Sequence, residues 1–280
     1  MACVAPLRCS RWGRVGIYSY PLIYATLVNP ETALVAAVQE WAQQHSGHAP
    51  RRVMDPACGP GKWLLPFAVQ GSAVAGVDIQ PGMVDEAQKL LWRYESEIVL
   101  ADMRDLPLHS GPFDLALNLY SSVAHLPDFA AVEQHLRRVQ QLLEPGGLYF
   151  LGLTVQELGV PLEAGEVLLQ TPPTPIPGGG VAAVHYESAG IDAATGREII
   201  RILLLAHGVP GVPEQSTDEY QLLLFQRDTL LAMLAASGFA LIEVRAMRDD
   251  GWPLVPLPLP AGCGDVTLIL RAQCREGTPS

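Results

Sequence analysis

Three short apolar segments that each end in an aspartate constrain the fold of this chain more than any other feature. Residues 52–55, 73–78 and 98–102 have this pattern, and helix-forming segments follow the first two. Strands that alternate with helices at such spacing form parallel βαβ units. Ligands of these sheets bind beyond the carboxyl ends of the strands, so the pattern predicts a binding site lined by the three aspartates.

The same alternation continues through most of the chain. The other predicted core elements are strands at 113–119, 148–153, 239–246 and 265–271 and helices at 62–69, 81–92, 130–143 and 227–237. Pro66 is expected to kink the first of these helices. We therefore predict a doubly wound α/β fold, with a mostly parallel seven-stranded sheet and helices on both faces.

The alternation lapses over residues 155–226, where Pro and Gly are frequent. Strand-like runs at 181–188 and 198–206 flank a turn-forming segment and predict a hairpin, to which 220–225 could add a further strand. We interpret this region as an inserted antiparallel lid.

This interpretation divides the chain into three parts. Residues 1–50 are predicted to form a helical segment over the active site. Residues 51–154 and 227–280 are predicted to form the ligand-binding α/β core, with the lid inserted between its two pieces.

Composition and charge narrow the choice of partners. Hydrophobic residues make up 49% and charged residues 17%, as in globular proteins. The formal net charge is −11, from 18 basic and 29 acidic side chains. Such a surface repels phosphate backbones and anionic lipid, and the longest basic runs are the pairs Arg51-Arg52 and Arg137-Arg138. We therefore expect no nucleic-acid partner and no membrane association.

The cysteines and the N-terminal region indicate the compartment. The five cysteines are an odd number without a C-x-x-C spacing, so neither a disulfide framework nor a metal site is expected. An apolar stretch at 15–28 follows Arg8, Arg11 and Arg14, but tyrosines and Pro21 interrupt it, which argues against a signal peptide. We predict a cytoplasmic protein.

A glycine turn follows the first aspartate, in the segment Asp55-Pro-Ala-Cys-Gly-Pro-Gly61. Glycines at such a turn let a ligand approach the backbone closely. A Walker A loop is excluded by the residues at positions 56 and 63, and a dinucleotide fingerprint is weak because Leu64 stands where its third glycine belongs. A ligand that combines an amino acid with adenosine fits better, since Asp55, Asp78 and Asp102 could meet its ammonium, ribose and adenine amine in that order.

These motifs resemble those of class I S-adenosylmethionine-dependent methyltransferases. The resemblance extends from about residue 18 to 153 and rests on an ordered series of motifs: Asp55-x-Ala57-x-Gly59-x-Gly61, Gly76-Val-Asp-Ile79, Asp102-Met103, Phe113-Asp-Leu115 and Leu142-Leu-Glu-Pro-Gly-Gly147. The chain departs from the family at Ala57, where glycine is frequent.

The resemblance implies S-adenosylmethionine (SAM) as cofactor and S-adenosylhomocysteine (SAH) as product. Asp78 would hold the ribose hydroxyls, Asn118 would approach the ammonium through its carbonyl, and Ile79 and Met103 would enclose the adenine. The full set of implied cofactor-binding residues is Asp55, Ala57, Cys58, Gly59, Gly61, Asp78, Ile79, Met83, Asp102, Met103 and Asn118.

The segment after the fourth strand would face the transferred methyl group. Its His125 and Tyr120 are candidate catalytic residues. Candidate substrate contacts are Tyr18, Tyr24, Ser121, Ser122 and His185. Alternatively, His125 braces the start of the following helix near Asp128, and the aromatic residues are ordinary packing residues.

We predict direct displacement that moves a methyl group to an N, O or C nucleophile of a small molecule. A nucleic-acid methyltransferase is an alternative, because adenine-modifying DNA methyltransferases share the string Asp55-Pro-Ala-Cys-Gly59; they carry Asn/Asp-Pro-Pro-Tyr/Phe where this chain has Asn118-Leu-Tyr-Ser. A regulatory protein that binds SAM without catalysis is another alternative.

Dimerisation is a separate hypothesis. It would use three lid residues on one edge: Ile199, Leu203 and Leu205.

Overall fold

The computed structural model describes residues 16–157, 164–248 and 251–274. Cys3, Cys9 and the three arginines ahead of the apolar stretch lie outside these ranges. Within them, no single helix is long and apolar enough to cross a membrane. One helix pair bent by 83°, Pro21–Leu27 with Thr32–Ser46, meets the length and composition criteria when taken together.

The helices begin and end near the expected positions. They are a 3-10 turn at Gly16–Ser19, α1 (Pro21–Leu27), α2 (Thr32–Ser46), α3 (Leu65–Val69), α4 (Pro81–Leu91), a 3-10 turn at Ser122–His125, α5 (Phe129–Leu142) and α6 (Arg227–Ala236). Gly47, with φ of 80°, ends α2 in the left-handed conformation that glycine adopts without strain. The side chain of Asp128 caps α5 by accepting from the backbone N–H of Ala131.

The strands form two sheets. They are β1 (Arg52–Asp55), β2 (Ala73–Asp78), β3 (Ser96–Leu100), β4 (Phe113–Asn118), β5 (Leu143–Val155), β6 (Glu166–Gln170), β7 (Thr174–Pro175), β8 (Val181–Asp192), β9 (Arg197–His207), β10 (Gln215–Leu222), β11 (Phe239–Ala246) and β12 (Gly264–Ala272). The first sheet has seven strands in the order β11-β12-β5-β4-β1-β2-β3. Within it β12 runs antiparallel to both neighbours, while β1 to β5 pair in parallel. The predicted fold is confirmed.

Helices cover both faces of this sheet. On one face, α5 and α6 bury Leu136 and Leu230 against strand residues such as Met54. On the other face, α2, α3 and α4 contribute side chains such as Val38 and Phe67. The sheet is therefore buried on both sides, which explains why its strands have continuous apolar sequences.

The helix after the glycine turn is shorter than predicted. It begins at Leu65 rather than at residue 62, so Pro66 falls in its first turn. Proline fits there because the backbone N–H that it lacks would have no partner within the helix. The expected kink is therefore absent from α3.

The second sheet, which we call the lid sheet, is antiparallel and comprises β6 to β10 in the order β10-β9-β8-β6, with β7 also paired to β8. One of its faces packs against the 3-10 turn and α1 of the N-terminal segment, around Ile17, Ile23 and Leu27. The opposite face of β9 carries Ile199, Leu203 and Leu205, which alternate with buried residues. Since β9 lies between β8 and β10, these three residues lie on a face of the lid sheet and not on its edge.

Candidate active site

A cavity of about 440 Å³ lies beyond the carboxyl ends of the parallel strands. This volume is within the usual range for small-molecule sites. The N-terminal segment, the loop after β4 and β10 complete its wall. Its lining residues are Tyr18, Tyr24, Val28, Pro30, Asp55, Pro56, Ala57, Cys58, Gly59, Pro60, Lys62, Trp63, Asp78, Ile79, Gln80, Met83, Asp102, Met103, Arg104, Leu119, Tyr120, Ser122, His125, Leu126, Pro127 and Tyr220.

The two glycines of the turn serve different purposes. Gly59 has φ of 51° and borders the cavity, and a Cβ placed on it would have only Tyr24 Cε1 nearby, at 3.8 Å. A Cβ on Gly61 would instead lie 3.2 Å from Leu91 Cδ1 and 3.3 Å from Ala87 Cβ. Gly61 therefore lets the turn pack against α4 and does not line the cavity, contrary to the expectation that both glycines clear space for the ligand.

Cys58 is a packing residue at the base of the turn. Its side chain is buried, and Gly76 of β2 makes room for it, because a Cβ on Gly76 would lie 2.7 Å from Cys58 Cβ. Burial also raises the pKa of the Cys58 thiol well above its ordinary value. Sequence reasoning did not identify the role of Gly76, which depends on contact between two separate segments.

Two carboxylates hold the turn in place. Asp55 Oδ1 accepts from Ala57 N at 2.9 Å, and Asp78 Oδ2 accepts from Gly59 N at 2.9 Å. Burial, together with the nearby charge of Asp78, raises the pKa of Asp55 to about 7. Burial also raises the pKa of Asp78, against the opposing effect of backbone hydrogen bonds from Gln80 and Gly59. Among the described residues neither carboxylate forms an ion pair, so a cationic ligand would relieve an unfavourable electrostatic environment.

Asp102 borders the cavity but is already paired. Arg104 donates from Nε to Asp102 Oδ1 at 2.9 Å and from its terminal nitrogen to Oδ2 at 2.6 Å. Partial burial opposes ionisation, but the hydrogen bonds from Arg104 outweigh it and lower the pKa of Asp102. Both oxygens of Asp102 therefore already accept a hydrogen bond from Arg104 before any ligand amine approaches. The spacing of the aspartates did not predict this pairing.

A buried histidine supports the neighbouring Met103. Nδ1 of His135 lies 2.9 Å from the carbonyl oxygen of Met103, and Nε2 lies 2.8 Å from the Tyr149 hydroxyl. Burial lowers the pKa of His135 to about 4, so the ring is neutral at pH 7. Ile79, directly after β2, is half exposed and Met83 of α4 is buried, and both border the cavity.

The loop after β4 has an unusual backbone. Tyr120 and Ser121 have φ values of 61° and 56°, although neither is glycine. Consecutive left-handed residues of this kind cost energy and are frequent at functional sites. Gly152 of β5 allows the loop to pass, since a Cβ there would lie 3.2 Å from Tyr120 N. Tyr120 and Ser122 border the cavity and Ser121 does not.

Asn118 lies behind this loop rather than at the cavity. Its side chain is buried and its Oδ1 accepts from Val123 N at 3.2 Å. It is absent from the cavity lining. The observed contact assigns the side chain to holding the loop.

Four aromatic rings meet at the lid side of the cavity. His125 lies against Tyr220 with ring centroids 4.8 Å apart, and Tyr18 lies within 6.3 Å of His125 and 5.4 Å of Tyr24. Burial lowers the pKa of His125 to about 4. Asp128 caps α5 through Ala131, and His125 packs against Tyr220 at the cavity wall.

Within the lid, Tyr220 lies at the cavity and the predicted His185 does not. His185 faces the outer side of β8, where it pairs with Glu187 at 3.5 Å, and it does not border the cavity. The adjacent Tyr186 is buried on the inner side, and Tyr220 of β10 lines the cavity directly. Alternation along a strand could have excluded one of His185 and Tyr186, but only the packing of the lid sheet decides which.

The described part of the chain contains no group of three or more His, Cys, Asp or Glu side chains arranged to hold a metal ion. Cys58, Cys263 and Cys274 are free cysteines in the same ranges.

Comparison with known sequences finds a methyltransferase domain that includes part of this cavity. Residues 53–147 match a family model described as a methyltransferase domain. Malonyl-[acyl-carrier protein] O-methyltransferase of Legionella pneumophila is 37% identical over 70 residues, which are 24% of this chain and 25% of that protein. The chain therefore spans about a quarter of the length of this curated relative.

Comparison with solved structures extends the similarity to nearly the whole chain. The sugar N-methyltransferase KedS8 of Streptoalloteichus sp. has a TM-score of 0.70 over 98% of both chains at 20% sequence identity. SAM-bound CalS10, an amino pentose methyltransferase from Micromonospora echinaspora, has a TM-score of 0.63 over 86% of this chain and 91% of that chain, also at 20% identity. These similarities establish the fold.

Residues 53–147 match a methyltransferase domain, and the chain as a whole shares the fold of solved methyltransferases. Both findings agree with the resemblance that the sequence motifs indicate. Both aspartates at the ends of β1 and β2 belong to the matched domain, while the tyrosines of the N-terminal segment and the lid lie outside it.

Proposed function

We propose that this protein is a SAM-dependent methyltransferase whose methyl acceptor is a small molecule. The observation that carries the proposal is the pair Asp55 and Asp78, which lies beside an open glycine turn without a cationic partner among the described residues. SAM has a sulfonium and an ammonium, the charges that such a site would stabilise.

The residues at the cavity can be assigned to parts of the cofactor. Asp78 would accept from the ribose hydroxyls, and Asp55 would face the ammonium. Ile79 and Met103 would enclose the adenine. Lys62, which sequence reasoning did not select, borders the same cavity and could pair with the cofactor carboxylate.

The protein would promote the reaction mainly by positioning. SAM supplies an activated methyl group, and the chain must hold an acceptor in line with it and exclude water. Such positioning is worth about 7–11 kcal/mol. The left-handed residue Tyr120 and the buried His125 would contact the acceptor from the loop after β4.

The size and walls of the cavity support a small acceptor. Its volume is about 440 Å³, and the N-terminal segment and the lid sheet contribute Tyr18, Tyr24 and Tyr220 to its wall. The net charge of −11 also disfavours a nucleic-acid substrate. We keep a cytoplasmic location as part of this proposal, since the free cysteines of the described ranges suit a reducing compartment.

Calorimetric titration of SAM and SAH into the wild type and the Asp78→Asn variant tests the proposal. Hydrogen bonds to charged groups contribute about 1.5–3 kcal/mol, so the variant should bind at least about tenfold more weakly. Asp228→Asn is the matched control, because it removes the same charge from an exposed position on α6.

Binding in the wild type and the Asp228→Asn control, with a loss in Asp78→Asn, supports the assignment. Failure of the folded wild type to bind either compound contradicts it. Thermal unfolding of all three proteins shows whether a loss of binding reflects a loss of fold.

A further inference from the structure

The lid side of the cavity is walled by aromatic rings. Tyr18, from the N-terminal segment, lies within 6.3 Å of the ring centroids of Tyr24, His125 and Tyr220. All four rings border the cavity. They come from three separate parts of the chain, and we call them the aromatic wall.

The hydroxyl groups of this wall influence one another. Besides burial, the hydroxyls of Tyr220 and Tyr186 shift the pKa of the Tyr18 hydroxyl, which indicates that the three groups lie close together. Four aromatic rings are thus gathered at one side of the cavity. Aromatic faces attract cations through the electrostatic quadrupole of the ring.

The aromatic wall contains no effective base. Burial lowers the pKa of His125 to about 4 and raises the pKa values of Tyr18, Tyr24 and Tyr220. A general base works best with a pKa near the operating pH. An alcohol, which must lose a proton as it reacts, would find no suitable acceptor here. A neutral amine needs no base before attack, because its nitrogen has a free lone pair.

The carboxylates of the cavity are on the cofactor side. Asp55 and Asp78 are hydrogen-bonded to the glycine turn, and Asp102 is paired with Arg104. Tyr24 lies between the two regions, since it is close to Gly59 and to Tyr18. The cavity thus has an acidic half for the cofactor and an aromatic half for the acceptor.

From this division, and resting on the proposed function, we propose that the acceptor is an amine and that the aromatic wall holds its nitrogen. The amine lone pair forms the new N–C bond while the methyl C–S bond breaks, and the electrons of that bond go to sulfur. The nitrogen becomes a methylammonium, whose proton then leaves to solvent. Positive charge thus moves from sulfur to nitrogen, where ring faces stabilise it.

The affinity of the aromatic wall for a cation can be measured without the natural acceptor. Choline and its neutral isostere 3,3-dimethylbutan-1-ol have nearly the same shape and differ in charge. Both are titrated, by calorimetry or ligand-observed NMR, into the protein saturated with SAH and into the protein alone. We expect choline to bind the SAH complex about tenfold more tightly than the alcohol.

Variants of Tyr220 identify the site of binding. Tyr220→Leu removes the ring and should abolish the preference for choline, whereas Tyr220→Phe keeps the ring and should retain most of it. Tyr94→Leu is a matched control, because Tyr94 is an exposed tyrosine that does not border the cavity. SAH affinity, measured in each variant, reports whether the cofactor half is intact.

Equal binding of the two probes, no binding of choline, or a preference that survives in Tyr220→Leu would overturn the amine assignment. The proposed function is tested separately by SAH. If SAH binds and choline shows no preference, only the acceptor class is wrong. If SAH does not bind, the proposed function is wrong, and the titrations of the protein alone still decide whether the wall selects cations.

Discussion

Replacing Asp55 by asparagine is predicted to remove a pH dependence from both the stability of the protein and its affinity for SAM. Burial and the neighbouring Asp78 raise the pKa of Asp55 from its ordinary 3.8 to about 7. Each unit of difference corresponds to about 1.4 kcal/mol, so the folded protein favours the protonated form of Asp55 by about 4 kcal/mol relative to the unfolded chain.

This difference fixes the direction of the effect on stability. Between about pH 4 and pH 7 the ligand-free folded protein keeps the proton that the unfolded chain has released. The free energy of unfolding therefore falls as the pH rises through this window, by up to about 4 kcal/mol. Asp55→Asn has no proton to lose, so urea unfolding of the variant at pH 5 and pH 8 should lack this decrease.

The affinity for SAM should change in the opposite direction. A cationic ligand favours ionised Asp55, so binding below pH 7 must release its proton. The dissociation constant should fall by up to about tenfold per pH unit between pH 5 and pH 7 and then level off. Calorimetry in buffers of different ionisation enthalpy should detect nearly one proton released at pH 6.

Equal affinity of the wild type for SAM from pH 5 to pH 8, without proton release, would contradict the role of Asp55. Full pH dependence in Asp55→Asn would contradict it as well.

Two further predictions concern packing around the cofactor site. Gly76→Ala brings a Cβ to 2.7 Å from Cys58 Cβ. Urea unfolding should show a free energy of unfolding lower by about 1–3 kcal/mol. Adding Cys58→Gly to this variant removes the clash and should restore part of the lost stability. His135→Leu leaves the buried Tyr149 hydroxyl without a partner and should cost about 1–3 kcal/mol of stability. Because it also frees the Met103 carbonyl, it should weaken SAH binding in calorimetry, and unchanged stability and binding would contradict the role assigned to His135.

The sequence predicted the core sheet because the sheet depends on local patterns, and the same patterns are the basis of the proposed cofactor site. The apolar strands that end in Asp55 and Asp78 are short and continuous, and the glycine turn follows directly. The sequence did not predict the role of Gly61, which was expected to make room for the ligand together with Gly59. Gly61 faces α4, and no pattern within the turn distinguishes it from Gly59.

The aromatic wall could be predicted only in part. Tyr18 and Tyr24 were selected for their position ahead of the core, and His125 for its position after β4. Tyr220 was missed because its role depends on how β10 pairs with β9 and how the lid sheet packs on the N-terminal segment. His185 is also predicted at the site but lies on the outer side of β8, since adjacent residues of a strand face opposite sides and the sequence alone does not say which side is inside.

A crystal structure of the protein with SAH would test the assignment of the cofactor site. We expect SAH in the cavity, with its ribose hydroxyls on Asp78, its amino group towards Asp55 and its adenine between Ile79 and Met103. SAH bound elsewhere, or bound in the cavity with its ribose away from Asp78, would contradict the assignment of the cofactor site.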